Sequence, residues 1–106
     1  MTSKQRAMLR AMANDYQPII YIGKEGVTEA LIKDADAALE ARELVKGSMG
    51  RNADADLRQA VQELCDALGA EPIQVIGRKF VIFRQSEKNP TIPCPAWGRT
   101  PYQAAH

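Results

Sequence analysis

The residues with the clearest chemistry in this chain are Gly23-Lys24-Glu25-Gly26. They lie between an apolar run and a helical pattern. Glycine has no Cβ, so it lets the backbone turn sharply and lets another backbone approach closely. The N–H groups and the dipole at the start of the following helix, near Thr28, favour an anion, and Lys24 adds a positive charge. The pattern therefore suits a phosphate group of a nucleic-acid backbone.

A second explanation of these four residues stays open. A tight strand-to-helix turn that binds no ligand accounts for them at least as well, and the Glu25 carboxylate would have to point away from a bound phosphate. For the phosphate-binding explanation there is a precedent, because KH domains use a Gly-x-x-Gly loop to clamp single-stranded RNA. The chain contains neither the Gly-x-x-x-x-Gly-Lys-Ser/Thr pattern of a P-loop nor a dinucleotide-binding Gly-x-Gly fingerprint.

Catalytic and metal-binding patterns are weak. Cys65 and Cys94 stand far apart without a second ligand pair, which favours a buried apolar thiol and an incidental one over a metal site. The only histidine is His106, so no Ser-His or Cys-His pairing is available. We expect no enzymatic activity, no metal and no cofactor.

The elements that position the loop follow from periodicity. Apolar residues at helical spacing predict helices over 3–14, 28–41 and 54–68. Thr2 or Ser3 is suited to cap the first helix and Thr28 the second, while Gly69 is suited to end the third. On the first helix, we expect one buried side made of Leu9, Met12, Ala13 and Tyr16.

Four strands are predicted between and after the helices. The continuous apolar run 18–22 indicates a strand buried on both faces. A weak strand begins at 43–46, with a bend or bulge expected near Gly47. Residues 72–76 and 79–84 flank Gly77-Arg78 as a hairpin with a type II′ turn. The predicted fold is α+β, with the order α-β-α-β-α-β-β and a four-stranded sheet covered by helices.

Length and composition fit one soluble domain. The 106 residues suffice for one domain, and no apolar run approaches the length that crosses a bilayer. The N-terminus lacks the apolar core of a signal peptide, so the expected location is cytoplasmic. We assign residues 1–85 to the domain and 86–106 to a proline-containing, mobile tail. For Trp97 and Tyr102 in that tail, three interpretations stay open: loose packing, stacking on a base, or anchoring a partner.

Charge is distributed unevenly along the chain. The net charge is only +1, but residues 1–26 carry +2, residues 27–76 carry −5 and residues 77–106 carry +4. If the fold brings the two ends together, one face is basic and another acidic. Scattered surface charge is the alternative.

Four stretches in order resemble the CRM domain, the chloroplast RNA splicing and ribosome maturation domain, whose bacterial stand-alone members are YhbY-like proteins. Residues 20–28, IYIGKEGVT, resemble its loop signature. Residues 4–10 resemble its first helix, residues 38–46 its helix-to-strand passage, and residues 74–84 its closing hairpin. The resemblance covers about residues 3–84. In this chain, Phe83 replaces a common tyrosine, and Gly47-Ser48-Met49 replaces a more strand-like stretch.

The resemblance implies a fold like the C-terminal domain of translation initiation factor three. It implies RNA binding and, for bacterial single-domain members, association with precursors of the large ribosomal subunit, which is a role in ribosome biogenesis. The loop and the resemblance together predict an RNA-binding site made of Gly23, Lys24, Glu25, Gly26, Thr28, Arg10, Arg78, Lys79 and Arg84.

An alternative function is a protein–protein interaction module that uses the acidic middle and the apolar tail. We expect RNA as the partner and no membrane. The residues do not specify which RNA is bound or whether the chain forms oligomers.

Overall fold

The computed structural model describes residues 2–50 and 56–86. In these ranges the chain forms three helices and four strands, which confirms the predicted α+β class and the order α-β-α-β-α-β-β. No helix in the described residues is both long and apolar enough to cross a bilayer. The elements are α1 (Ser3–Ala13), β1 (Ile20–Ile22), α2 (Glu29–Arg42), β2 (Leu44–Met49), α3 (Leu57–Leu68), β3 (Glu71–Ile76) and β4 (Lys79–Phe83).

The strands form one sheet in the order β1-β2-β4-β3. β1 is parallel to β2, and the other two pairings are antiparallel. Alternate side chains of a strand point to opposite faces, so the sheet builds a core on each side. One core contains Ile22 and Phe80 and is completed by α2 and α3. The other contains Val81 and Phe83 and is completed by Leu9 and Ala13 of α1.

Local signals set the ends of the helices as predicted. Thr2 and Gln5 form a reciprocal capping box at the start of α1. The Thr28 hydroxyl accepts the Leu31 N–H at 3.1 Å and caps α2. Gly69 adopts a left-handed conformation with φ +65° and ends α3. The described part of α3 begins at Leu57, and residues 51–55 lie outside the described ranges.

The predicted bend near Gly47 is wrong. β2 runs without interruption through Gly47, which pairs with Ile20 on one side and Phe80 on the other. A Cβ at this position would overlap the ring of Phe80, which is fully buried. Glycine is therefore needed here for space. The irregular pairing lies instead on β3, between Pro72 and Gln74.

The expectation that the first strand is buried on both faces is also wrong. Ile20 and Ile22 are buried, but Tyr21 between them is 64% exposed. β1 is an edge strand, and α1 packs on β2 and β3. None of the three helices described therefore covers the face of β1 that carries Tyr21. Tyr16, expected on the buried side of the first helix, follows the helix and is exposed.

The folded part of the chain extends past the predicted domain boundary at residue 85. Ser86, which we assigned to the tail, is buried, and its N–H donates to Glu43 Oε2 at 2.7 Å. The rest of the predicted tail, residues 87–106 with Cys94, Trp97, Tyr102 and His106, lies outside the described residues.

Candidate nucleic-acid interface

The Gly23–Gly26 loop is a tight turn that projects two charged side chains. The Gly26 N–H donates to the Gly23 carbonyl oxygen at 3.0 Å, and Lys24 and Glu25 occupy the exposed tip. Gly26 has φ +73°, in the left-handed region that favours glycine. A Cβ there would meet nothing within 4 Å, so the requirement for glycine at residue 26 is conformational.

The loop offers fewer free donors than its sequence predicts. The Gly26 N–H is used by the turn, and the Thr28 hydroxyl already satisfies one N–H of α2. Among the residues that the structure describes, the N–H groups of Lys24, Glu25 and Val27 donate to no protein acceptor. These amides, with the first turn of α2, are the donors that an anion can use.

Gly50 joins the loop to the β3–β4 hairpin. Its N–H donates to the Ile22 carbonyl oxygen at 3.0 Å, just before the loop. On its other side, its carbonyl oxygen accepts a hydrogen bond from Arg78 Nη1 at 3.3 Å, and the Arg78 carbonyl oxygen accepts the Met49 N–H. Only Gly77 of the two turn residues has a positive φ, which agrees with the predicted type II′ turn. Two distant parts of the sequence therefore meet at one end of the sheet.

A row of side chains crosses the sheet next to this loop. Tyr21 pairs with Ser48, Ser48 with Lys79, and Lys79 with Ile76. Directly paired residues point to the same face of a sheet, so these four side chains share one face. It is the face that α1 covers further along the strands, where Val81 is buried. Within the row Tyr21 is 64% and Ile76 65% exposed, and we call these four residues the open row.

Glycine residues leave space for the Tyr21 ring. A Cβ at Gly50 would lie 2.8 Å from Tyr21 Cζ, and a Cβ at Gly23 would lie 3.4 Å from its Cε2. The ring therefore rests over two positions without side chains. Sequence reasoning missed Tyr21 and Gly50. The alternation of Ile20, Tyr21 and Ile22 was the available signal, because a period of two places the middle residue on the opposite face.

The structure separates Arg84 from the other predicted site residues. Arg84 follows the far end of β4, about 20 Å from Arg78 at ~3.3 Å per residue. Its Nη1 donates to Asp36 Oδ1 at 2.8 Å and to the Leu68 carbonyl oxygen at 3.0 Å, and its Nη2 lies 3.6 Å from Glu40 Oε2. Arg84 thus connects α2 with the end of α3.

Arg10 lies in the last turn of α1, partly buried, on the same side of the sheet as the open row. It shares a flank of the helix with Arg6. Arg6 donates to the Pro72 carbonyl oxygen and lies 3.7 Å from Glu71 Oε2. Arg10 therefore adds positive charge to the α1 face, whereas Arg6 is engaged with β3.

The two faces of the sheet differ in charge. α1 carries three basic and no acidic side chains, whereas α2 and α3 together carry three basic and six acidic ones. Beside the loop, Glu25, Asp56 and Glu63 line a cleft of about 280 Å³. Since carboxylates repel phosphate, an anion has to approach the loop from the side of Tyr21 and Arg78. In the described ranges, no three acidic, histidine or cysteine side chains group to hold a metal ion.

Cys65, on the buried face of α3, is not activated. Burial, with smaller contributions from Asp66 and Glu71, raises the pKa of the thiol to about 12. A nucleophilic cysteine needs a lowered pKa, so this thiol has the properties of an apolar core side chain.

The profile of the CRS1/YhbY (CRM) domain matches residues 1–84. The chain belongs to this family. The resemblance inferred from four ordered stretches is thereby confirmed, and the matched region contains the loop, the open row and the hairpin that bears Arg78.

Other CRM-family proteins are similar over most of their length. "Probable RNA-binding protein YqeI" of Bacillus subtilis is 36% identical over 95 residues, covering 90% of this chain and 99% of that protein. "Probable RNA-binding protein MJ0652" of Methanocaldococcus jannaschii is 35% identical over 89 residues, covering 82% and 66%. The solution structure of Staphylococcus aureus SAV1595, described as a candidate RNA-binding protein, has a TM-score of 0.73 at 39% identity, covering 88% of this chain and 99% of that one. The shared fold is the mixed α+β fold described above.

Proposed function

We propose that this CRM-domain protein binds RNA and assists assembly of the large ribosomal subunit. Relatives along nearly the whole chain are named as RNA-binding proteins. The observation that carries the proposal is the end of the sheet where the Gly23–Gly26 loop meets the hairpin at Gly50. Phosphate contacts from Lys and Arg supply most of the affinity in such complexes.

The cationic side chains at this end of the sheet are available to a ligand. Lys24 and Lys79 are exposed, and neither forms an ion pair or a side-chain hydrogen bond within the described residues. Arg78 is exposed and its guanidinium group bonds only the Gly50 carbonyl oxygen among described groups. An RNA phosphate therefore does not have to displace a carboxylate of residues 2–50 or 56–86 from any of the three.

The predicted site residues take different roles in this proposal. Lys24, Arg78 and Lys79 contact phosphates, and Arg10 extends the positive surface. Gly23 and Gly26 shape the turn, and Thr28 caps α2 just behind it. Glu25 lines the acidic cleft and, in this proposal, makes no phosphate contact. Arg84 contributes to the fold instead of the contact surface, since Asp36 and Glu40 already neutralise it.

The salt dependence of RNA affinity tests the proposal. We expect the logarithm of the association constant for a labelled single-stranded RNA to fall against the logarithm of salt concentration with a slope of about −3. That slope corresponds to about four phosphate contacts at ~0.7 each. Fluorescence anisotropy titrations between about 50 and 200 mM salt measure it. A slope near zero contradicts the proposal.

Two matched glycine variants test whether RNA affinity depends on the Gly23–Gly26 loop. Gly26 and Gly69 both have positive φ, and at both a Cβ would meet nothing within 4 Å. Gly26→Asp and Gly69→Asp therefore carry the same backbone strain and the same added charge. We expect both to fold, but only Gly26→Asp to abolish RNA binding. Equal affinities of the two variants would remove the loop from the mechanism.

The ribosomal role needs a separate experiment. The protein should co-sediment with large-subunit precursors on a gradient, and crosslinking should place ribosomal RNA next to the peptide that contains Lys24. Co-sedimentation that survives complete nuclease digestion of the exposed RNA would favour the protein-interaction alternative.

A further inference from the structure

We infer that the open row is a stacking surface for unpaired bases, with Tyr21 at one end as its aromatic residue, so that the protein selects single-stranded over double-stranded RNA. This inference rests on the proposed RNA binding and adds the class of RNA. It uses a side chain that the phosphate contacts do not require.

Tyr21 has the geometry of a base-stacking residue. Tyr21 is 64% exposed, although it belongs to a strand whose two neighbouring residues are buried. The ring lies over Gly23 and Gly50, and a side chain at Gly50 would collide with it. Every base has a π-face that can stack on an exposed aromatic ring.

The rest of the open row extends this surface across the sheet. Ser48 is small, so it leaves the space between Tyr21 and Lys79 accessible, and Ile76 adds exposed apolar area on the last strand. Four strands at ~4.8 Å spacing give the row a length of about 14 Å. RNA-binding sheets of four strands stack two or three bases in this way.

Charge around the row favours nucleic acid as its occupant. Lys79 stands within the row, Arg78 follows at the hairpin, and Lys24 lies on the loop at the Tyr21 end. The carboxylates near the loop line the cleft on its α3 side. An RNA strand can therefore place its phosphates on the basic rim and its bases on the ring. A duplex cannot do this, because its bases are stacked inside the A-form helix.

The test compares tyrosine variants on two forms of the same RNA. A labelled single strand of mixed sequence and its fully paired duplex are titrated by fluorescence anisotropy at one salt concentration. We expect the unaltered protein to prefer the single strand. Tyr21→Ala should lose about tenfold in affinity for the single strand and change little on the duplex, while Tyr21→Phe should keep the preference because it keeps the ring. The salt slope should not change in either variant.

Tyr16→Ala is the matched control, because Tyr16 is also exposed but lies in the segment between α1 and β1, away from the loop. It should leave both affinities unchanged. Thermal melting of each variant checks that the fold is kept.

The outcomes separate this inference from the proposed function. Failure of the unaltered protein to bind either RNA at low salt overturns the proposed function and this inference with it. Binding with a steep salt slope, but with no loss for Tyr21→Ala or an equal loss on both RNAs, overturns the stacking role alone. A change of oligomeric state in Tyr21→Ala, measured by sedimentation equilibrium without a change in RNA affinity, would instead identify the row as a contact between copies of the chain.

Discussion

The two ends of the sheet use charged residues in opposite ways. The open end, made of the Gly23–Gly26 loop, Gly50 and Arg78, leaves its cations exposed and without carboxylate partners among the described residues. The closed end, made of Glu43, Arg84 and Ser86, satisfies its polar groups internally. An arginine is therefore bound into the fold or left exposed according to the acceptors that the tertiary structure places around it.

Glu43 shows how hydrogen bonds fix the backbone at the closed end. It is fully buried and has φ +66°, a backbone conformation that is rare for a residue with a side chain. Its N–H donates to the Leu39 carbonyl oxygen, its own carbonyl oxygen accepts the Arg84 N–H, and its carboxylate accepts the Ser86 N–H. These bonds hold the strained residue and tie the segment after β4 to the corner between α2 and β2.

Replacing Arg84 or Arg78 by alanine should produce the largest difference between the two ends of the sheet, in both stability and RNA affinity. Arg84→Ala should lower the free energy of unfolding by about 2–3 kcal/mol, because it removes charge-assisted hydrogen bonds to Asp36 and Leu68. RNA affinity should stay unchanged. Arg78→Ala should change stability by less than about 0.5 kcal/mol and weaken RNA binding. Urea denaturation and anisotropy titrations measure the two effects. The contrast breaks down if Arg84→Ala weakens RNA binding as much as Arg78→Ala does.

Replacing the same two arginines by lysine should have smaller effects on RNA affinity and stability. It should also show which end of the sheet requires the forked guanidinium group. Arg78→Lys should keep RNA affinity within about twofold, because a phosphate contact can be made by a point charge. Arg84→Lys should still lose about 1–2 kcal/mol, since one ammonium group cannot reproduce the fork that reaches Asp36 and Leu68 together. Full stability of Arg84→Lys would mean that charge alone, without the forked geometry, acts at the closed end.

Replacing Ser86 or Ser48, one serine from each end of the sheet, by alanine should show the smallest difference in stability. Ser86 Oγ donates to Glu40 Oε1 at 2.9 Å at the closed end, so Ser86→Ala should lower stability by about 1 kcal/mol. Ser48→Ala, in the open row, should stay within about 0.5 kcal/mol of the unaltered protein. Both should melt cooperatively in calorimetry. Equal losses in the two variants would argue that the ends of the sheet are not energetically different.

The caps, helix ends and turns that were predicted from a few neighbouring residues agree with the structure. The cap at Thr28, the helix end at Gly69 and the turn at Gly77 were all predicted, because each depends on backbone geometry within one turn of chain. The four ordered stretches that resemble the CRM domain are also local signals, and together they placed the chain in its family.

Predictions that depended on a distant partner were the ones that failed. Gly47 suggested a bend, since its role becomes visible only when Phe80 of β4 lies across from it. Tyr21 was expected to be buried, since exposure depends on which strands α1 covers. Arg84 was grouped with Arg78 because both lie in one basic stretch, although five residues of strand separate them.

The amino-acid sequence by itself determined the order of helices and strands, their caps and turns, and the family. These features arise from backbone preferences and side-chain spacing that act within a short stretch of chain. Only the tertiary structure decided which cations are exposed, which face of β1 is open and that Ser86 is buried. Those properties depend on strand register and on contacts such as Arg84 with Leu68 and Glu43 with Ser86, which form only after distant segments have packed together.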